Sequence, residues 1–408
     1  MLSWMRRRGF NAGLWLLLAI GFVVALIWAT DGGLIGDEWV HVPQIQAFAR
    51  GDFIIEAQLT TIPGYHLVVA AWVWLIGADS LAAMRAFNAM LGLLTVAMFY
   101  QLRRRSGDAA AGLATAQFLA LPVLFPFFFL AYTDVLSVAL VLAAAAATLA
   151  SRHRSSALLL LCALAVRQNN IIWVGLLAVM AAWPIWHKSG LRGWRRMLVL
   201  VWPYAIDVAA FLAFWYWNGS ISLSTAQVHA HPDLALQLGN VFFALFVLAL
   251  LLPLQLAEGL RTTLVRARDR PWLWLLPLLG FALYWWGFAV DHPYNLIDPR
   301  WSWRNRLLQA VATEPWLRVG FGVIAVSAAC GLAGIRLRPA GALWLYPFAL
   351  LFLASSWLIE TRYVLIPLAL LLAFREHSTL WVERATGIIW AAMAAFVFYV
   401  LMNGGPFL

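Results

Sequence analysis

Apolar runs of about twenty residues, broken by short basic clusters, recur along almost the whole chain. The run Leu14 to Ala29 follows Arg6, Arg7 and Arg8, and the run Leu81 to Leu102 ends at Arg103-Arg104-Arg105. About twenty apolar residues in a helix cross a hydrocarbon core of about 30 Å. Backbone polar groups in lipid must be satisfied within the segment, which leaves helices as the natural element. Further runs start near Ala109, Val135, Ala157, Asn170, Val199, Gly239, Leu273, Val319, Gly341, Val364 and Ile388. The expected fold class is therefore an all-α polytopic membrane protein, a single integral domain over 1–408 with about thirteen crossings. The many later runs favour an uncleaved first span over a signal peptide. Leu67 to Gly77 is too short to cross and reads as an interfacial or re-entrant helix.

Charge sets the orientation. With the N-terminus cytoplasmic, one face receives Arg6 to Arg8, Arg103 to Arg105, Arg152, Arg154, Lys188, Arg192, Arg195, Arg196, Arg261, Arg266, Arg268, Arg270, Arg336, Arg338, Arg375 and Arg384. Only Asp108, Glu258, Asp269, Glu376 and Glu383 accompany them, the bias expected of an inner face. The net charge of +10 is thus explained by topology and does not point to nucleic acid. Cys162 and Cys330 lie in apolar segments and read as packed small hydrophobes.

The opposite face receives three loops, Asp31 to Tyr65, Asn218 to Leu238 and Asp291 to Trp316, and function is expected there. The first is the longest polar interruption in the N-terminal third. It gathers Asp37, Glu38, His41, Gln44, Asp52, Glu56, Thr60 and Thr61. Other outer charges fall near span ends: Asp134 after Tyr132-Thr133, Arg167, Asp298 with Arg300, Arg304 and Arg306, and Glu360 with Arg362. Ionisable groups at a membrane are costly to desolvate and are usually paired or functional. An acid-rich loop with several arginines offers a base and a phosphate clamp. That is the chemistry of glycosyl transfer from a polyprenyl-phosphate sugar. A carboxylate takes the proton of an attacking hydroxyl, and arginine stabilises the departing phosphate. Such a donor needs no nucleotide loop, and GxGxxG and GxxxxGK[ST] are both missing. No spacing demands a metal.

The wording of the motifs adds to this. DEWVHVPQIQAF followed by LTTIPG resembles the first lumenal loop of the eukaryotic dolichyl-phosphate-glucose α-1,2-glucosyltransferases, which reads DEIFHIPQAQ and then ITTLPGLY. Asp37, Glu38, His41, Pro43, Gln44, Gln46, Thr60, Thr61, Pro63 and Gly64 match position by position. Arg167-Gln168-x-Asn170-Ile171-Ile172-Trp173 is similar to the family's RQTNIIW, and Trp202-Pro203-Tyr204, Asp298-x-Arg300 and Glu360-x-Arg362-Tyr363 follow in order. The resemblance implies a GT-C type bundle with interfacial helices in its first outer loop. It also implies inverting transfer of glucose from a lipid phosphate, with an α-1,2 linkage. There are departures. The family's DNRHY reads Asp298-Pro299-Arg300-Trp301-Ser302, the loop near His229 is shortened, and the large cytoplasmic insert is missing. These place the acceptor in question. The compact Ala- and Arg-rich chain looks bacterial, which suggests an inner-membrane enzyme facing the periplasm, with a polyprenyl-phosphate donor and a glycan or lipid-linked oligosaccharide acceptor.

Within this reading Asp37 is the expected general base and Glu38 the next candidate, since neighbours at a helix start point in different directions. His41 has two readings, a donor-phosphate contact and interfacial packing. Arg300, Arg304 and Arg362 are the phosphate candidates, and Arg167 alternatively braces Asp134. Gln44, Thr60, Thr61, Tyr132, Asp134, Arg167, Gln168, Asp298 and Glu360 complete the expected substrate-binding set. Two other functions stay open: a GT-C transferase using mannose or arabinose, and a transporter of lipid-linked sugars, which would be expected to show paired repeats and broken helices.

Overall fold

The computed structural model describes residues 2–224, 236–300 and 302–406; His229 and Trp301 lie outside them. Among the described residues the secondary structure is helical, with one isolated bridge between Leu337 and Arg375. The chain forms two compact units, one of Met1–Ala226 with Gly387–Gly405 and one of Gln227–Thr386 with Pro406–Leu408.

The first unit holds α1 (Leu2–Thr30), α2 (Glu38–Ala49), α3 (Gly64–Ile76), α4 (Leu81–Arg105), α5 (Ala111–Leu119), α6 (Thr133–Leu149), α7 (His153–Val166), α8 (Ile171–Ser189) and α9 (Trp194–Asn218). Local chemistry accounts for several of the ends. Ser80 caps α4 by accepting from the Ala83 N–H at 3.2 Å, and Arg103 to Arg105 close it at the negative end of its dipole. Gly77, in the left-handed region at φ 66°, stops α3. Gly64 opens α3 against the end of α7, where a Cβ would come within 2.5 Å of the Ala165 carbonyl oxygen, so no larger residue fits. Beside α1 the rings of Phe22, Phe125, Phe129 and Phe398 form an aromatic cluster.

The second unit holds α10 (Gly239–Leu251), α11 (Pro253–Asp269), α12 (Leu275–Gly287), α13 (Trp303–Thr313), α14 (Pro315–Gly334), α15 (Leu345–Ala354) and α16 (Leu365–Phe374). α17 (Leu380–Met402) begins in this unit and ends in the first. α11 and α14 meet backbone to backbone through Gly259, Gly331 and Gly334, the small-residue contact by which helices associate in lipid.

Among the described residues, the helices long and apolar enough to cross a membrane are Gly13–Thr30, Leu81–Arg105, the continuous stretch Gln168–Asn218, Pro315–Gly334 and Leu380–Met402. α10 and α11, bent by 107° at Leu252, make a sixth if taken as one span. The thirteen crossings expected from apolar runs are not matched by this length criterion. The run from Ala109 breaks after nine residues of α5, and a short 3-10 helix follows at Phe125–Phe129. Ten of ten residues in α16 are buried, so its apolar composition reflects protein packing rather than lipid contact. Composition alone does not separate those two causes. The short helix expected near Leu67 is α3, of 13 residues.

Candidate active site

Asp37 and Glu38 open α2 and part company at once. Asp37 is exposed, and its backbone N–H donates to the Tyr132 hydroxyl at 2.6 Å. Glu38 is wholly buried. Its Oε1 accepts from Arg85 Nε at 3.0 Å and the Ala131 N–H at 2.8 Å. Its Oε2 accepts from Arg85 Nη2 at 2.5 Å and the Ile35 N–H at 2.9 Å. A carboxylate has about four lone-pair sites, and all four are occupied. The acceptor sites of Glu38 are thus filled from within the protein, while Asp37 beside it is an exposed residue.

His41 is buried one helical turn on. Its Nδ1 lies 2.9 Å from His66 Nε2, and its ring stands edge-on to Tyr132. His66 is fully buried near the start of α3, with no hydrogen-bond partner at Nδ1. Burial, and then the neighbouring His41, push the His66 imidazole well below the usual histidine range.

The remaining loop residues act on the backbone. Gln44 donates to the Ile54 carbonyl at 3.0 Å and accepts from the Glu56 N–H at 2.7 Å, which pins the descending half of the loop to α2. Gln168 donates to the carbonyls of Thr60 and Ile221, each at 3.0 Å, and so ties the loop before α3 to the segment after α9. The Leu223 N–H also donates to the Thr60 carbonyl, at 2.9 Å. The Thr61 hydroxyl is buried without a partner. Asp134 forms an ion pair with Arg167, the bracing alternative of the sequence reading, and its Oδ2 is buried without a hydrogen bond.

In the second unit Glu360 is buried and receives two guanidiniums, an ion pair from Arg304 and a 3.5 Å contact from Arg362. An amide scaffold frames it. Asn240 accepts from the Glu360 N–H at 2.9 Å and donates to the Leu358 carbonyl at 2.7 Å. Asn295 exchanges hydrogen bonds with Ile359, each 2.9 Å, and Asn305 donates to the Tyr294 carbonyl at 2.9 Å. Arg300 is not drawn into this cluster. Its side chain is 89% exposed and forks onto Asp298 two residues away, with Nε 2.9 Å and Nη2 2.6 Å from Oδ2. The hydrogen bond from Arg300 holds the Asp298 carboxyl below its ordinary range.

The structure thus gathers Asp37, Glu38, His41 and Tyr132 in the first unit, and Arg304, Glu360 and Arg362 in the second. Arg85 and His66 escaped the sequence reading. A signal for Arg85 existed, as a lone charge inside an apolar helix calls for a partner. His66 carried none. No group of three or more metal-ligating side chains occurs among the described residues.

A model of the DIE2/ALG10 family matches residues 34–191 and 185–373. The mouse Dol-P-Glc:Glc(2)Man(9)GlcNAc(2)-PP-Dol α-1,2-glucosyltransferase is 27% identical over 397 residues, 81% of each chain. The Drosophila melanogaster protein of that name is 25% identical over 95% of this chain and 96% of its own. Among solved structures, ArnT from Cupriavidus metallidurans in the apo state aligns with TM-score 0.43 and 17% identity, over 96% of this chain and 76% of that one.

Proposed function

Since the chain belongs to the DIE2/ALG10 family and is a multi-pass membrane glycosyltransferase, we propose that it transfers glucose from a polyprenyl phosphate to a hydroxyl of a glycan or lipid-linked oligosaccharide. The α-1,2 linkage is taken from the relatives' names. The fold proposed is the GT-C type. The site faces the outer side of the membrane, the periplasm in a bacterium, because the basic clusters collect on the other.

The observation that carries the reading is the exposed residue Asp37 beside a neighbour whose acceptor sites are all occupied. Asp37 takes the proton as the acceptor oxygen attacks the anomeric carbon. The bond from that carbon to the phosphate oxygen breaks, and the electron pair leaves with the polyprenyl phosphate. Tyr132, donating to the Ile35 carbonyl at 3.2 Å and accepting from the Asp37 N–H, fixes the start of α2. A separate proposal concerns the second unit. Arg304 and Arg362 both reach Glu360, and a guanidinium binds phosphate oxygens as a planar fork, so these two arginines are proposed as the contacts to the donor phosphate.

The test is transfer by the purified chain from radiolabelled polyprenyl-phosphate glucose, mannose or arabinose into a cell lipid extract. Product from the glucose donor supports the reading. Product from another donor alone would replace glucose, and no product with any donor would overturn the reading.

A further inference from the structure

Arg85 stands in the second turn of α4 and is the sole charged residue of the stretch Leu81 to Gln101. Its guanidinium is fully buried. A guanidinium has five N–H donors, and each finds an acceptor. Nε and one Nη2 hydrogen grip the two oxygens of Glu38 at 3.0 and 2.5 Å. Nη1 donates to the carbonyls of Ala29 at 2.5 Å and Gly32 at 3.4 Å, and Nη2 also donates to the Gly33 carbonyl at 2.6 Å. One side chain therefore joins the last turn of α1, the glycine turn after it and the first turn of α2. Through Glu38 it reaches the Ala131 N–H, next to the tyrosine that holds the Asp37 backbone.

From this we infer that Arg85 is a positioning residue for the first outer loop: it fixes the backbone from Ala29 to Glu38 and so aims the Asp37 carboxylate. The inference rests on the reading of Asp37 as the base. Lysine does not replace arginine here, because three donors on a point charge leave at least two of five acceptors unmet. Gly32 supplies a second handle. A Cβ there would lie 3.2 Å from Arg85 Nη1, close enough to displace the guanidinium slightly without removing any charge.

The test compares the full-length wild type with Arg85→Lys and Gly32→Ala. It uses steady-state transfer from polyprenyl-phosphate glucose across pH and amide hydrogen exchange in the substrate-free protein. Misplacing a reacting group by about 1 Å costs up to ~100-fold in rate. Arg85→Lys is expected to lower kcat at least ~10-fold at every pH, with the donor KM within about twofold. Exchange should rise in residues 31–41 while that of α10 stays unchanged. Gly32→Ala should move both readouts the same way by a smaller amount, and it decides the matter if Arg85→Lys does not fold. A wild-type kcat in Arg85→Lys would overturn the inference. So would a loss that follows a rise in exchange across the whole protein, which marks an ordinary structural residue. If the wild type transfers nothing, the catalytic reading fails and with it the aim at a base. The exchange data then decide separately whether Arg85 orders residues 31–41.

Discussion

Glu38 in the first unit and Glu360 in the second are both buried carboxylates that face arginine, yet they are held by different partners. Glu38 meets one guanidinium and two backbone N–H groups, and a second carboxylate, Asp37, stands exposed beside it. Glu360 meets two guanidiniums. The first carboxylate is locked by one arginine and the backbone, and the second is shared between two arginines. A carboxylate whose acceptor sites are all filled serves to hold backbone, whereas a base needs a carboxylate that can reach an acceptor hydroxyl, and a phosphate needs guanidiniums that can fork onto its oxygens.

The comparison breaks most visibly at Glu38. Breaking a buried pair by removing one partner leaves an uncompensated charge and costs about 3–5 kcal/mol. Glu38→Gln should therefore lower the melting temperature in detergent markedly. A melting curve like that of the wild type would show that Glu38 is not structural. The effect in the second unit is smaller and falls on the donor. Hydrogen bonds to charged groups contribute about 1.5–3 kcal/mol, or ~10–100-fold in affinity. Arg362→Gln should raise the donor KM by that order, whereas Glu360→Gln should leave it unchanged or lower it. Equal losses in both variants would assign the cluster a purely structural role.

A third way to sharpen the contrast uses pH. The unfolded His66 imidazole takes up a proton below about 6.5, while the buried one, held well below that range, does not. Its folded pKa is depressed, so stability is full above about pH 6.5 and falls as pH drops below it, by up to ~1.4 kcal/mol per pH unit. In His66→Phe that slope should disappear from the melting profile between pH 6.5 and 5.5. His41, the group facing His66, is unchanged in that variant. The smallest effect belongs to Arg300. It was a phosphate candidate in the sequence, but its exposed fork closes on Asp298. Arg300→Ala should move the donor KM by less than about twofold, and a larger rise would return Arg300 to the phosphate site.

How much of this was legible follows from sequence distance. Asp37, Glu38 and His41 lie within one short motif at the end of an apolar run, so their shared location was plain from spacing. That the two acids divide into one exposed and one enclosed group was half legible, since neighbours diverge at a helix start. Which is which depended on Arg85, 47 residues away in a helix whose other charges lie at its far end. Gln44, Thr60 and Gln168 match a motif that implies substrate contact. In the structure they make local and distant backbone hydrogen bonds, a role that fixes residue type as firmly as a ligand would. Helix length does not match the expected span count where packing makes a segment apolar. α16 and the broken run after Ala109 look like membrane crossings in composition, yet they are short buried elements.

Asp37→Asn against Glu38→Gln, each measured for transfer from polyprenyl-phosphate glucose and for melting temperature, tests the division of labour most directly. Asp37→Asn should melt with the wild type and lose transfer by ~100–10,000-fold, the scale of a missing general base. Near-normal turnover in Asp37→Asn would contradict the account, most plainly if Glu38→Gln melted with the wild type and were the inactive variant.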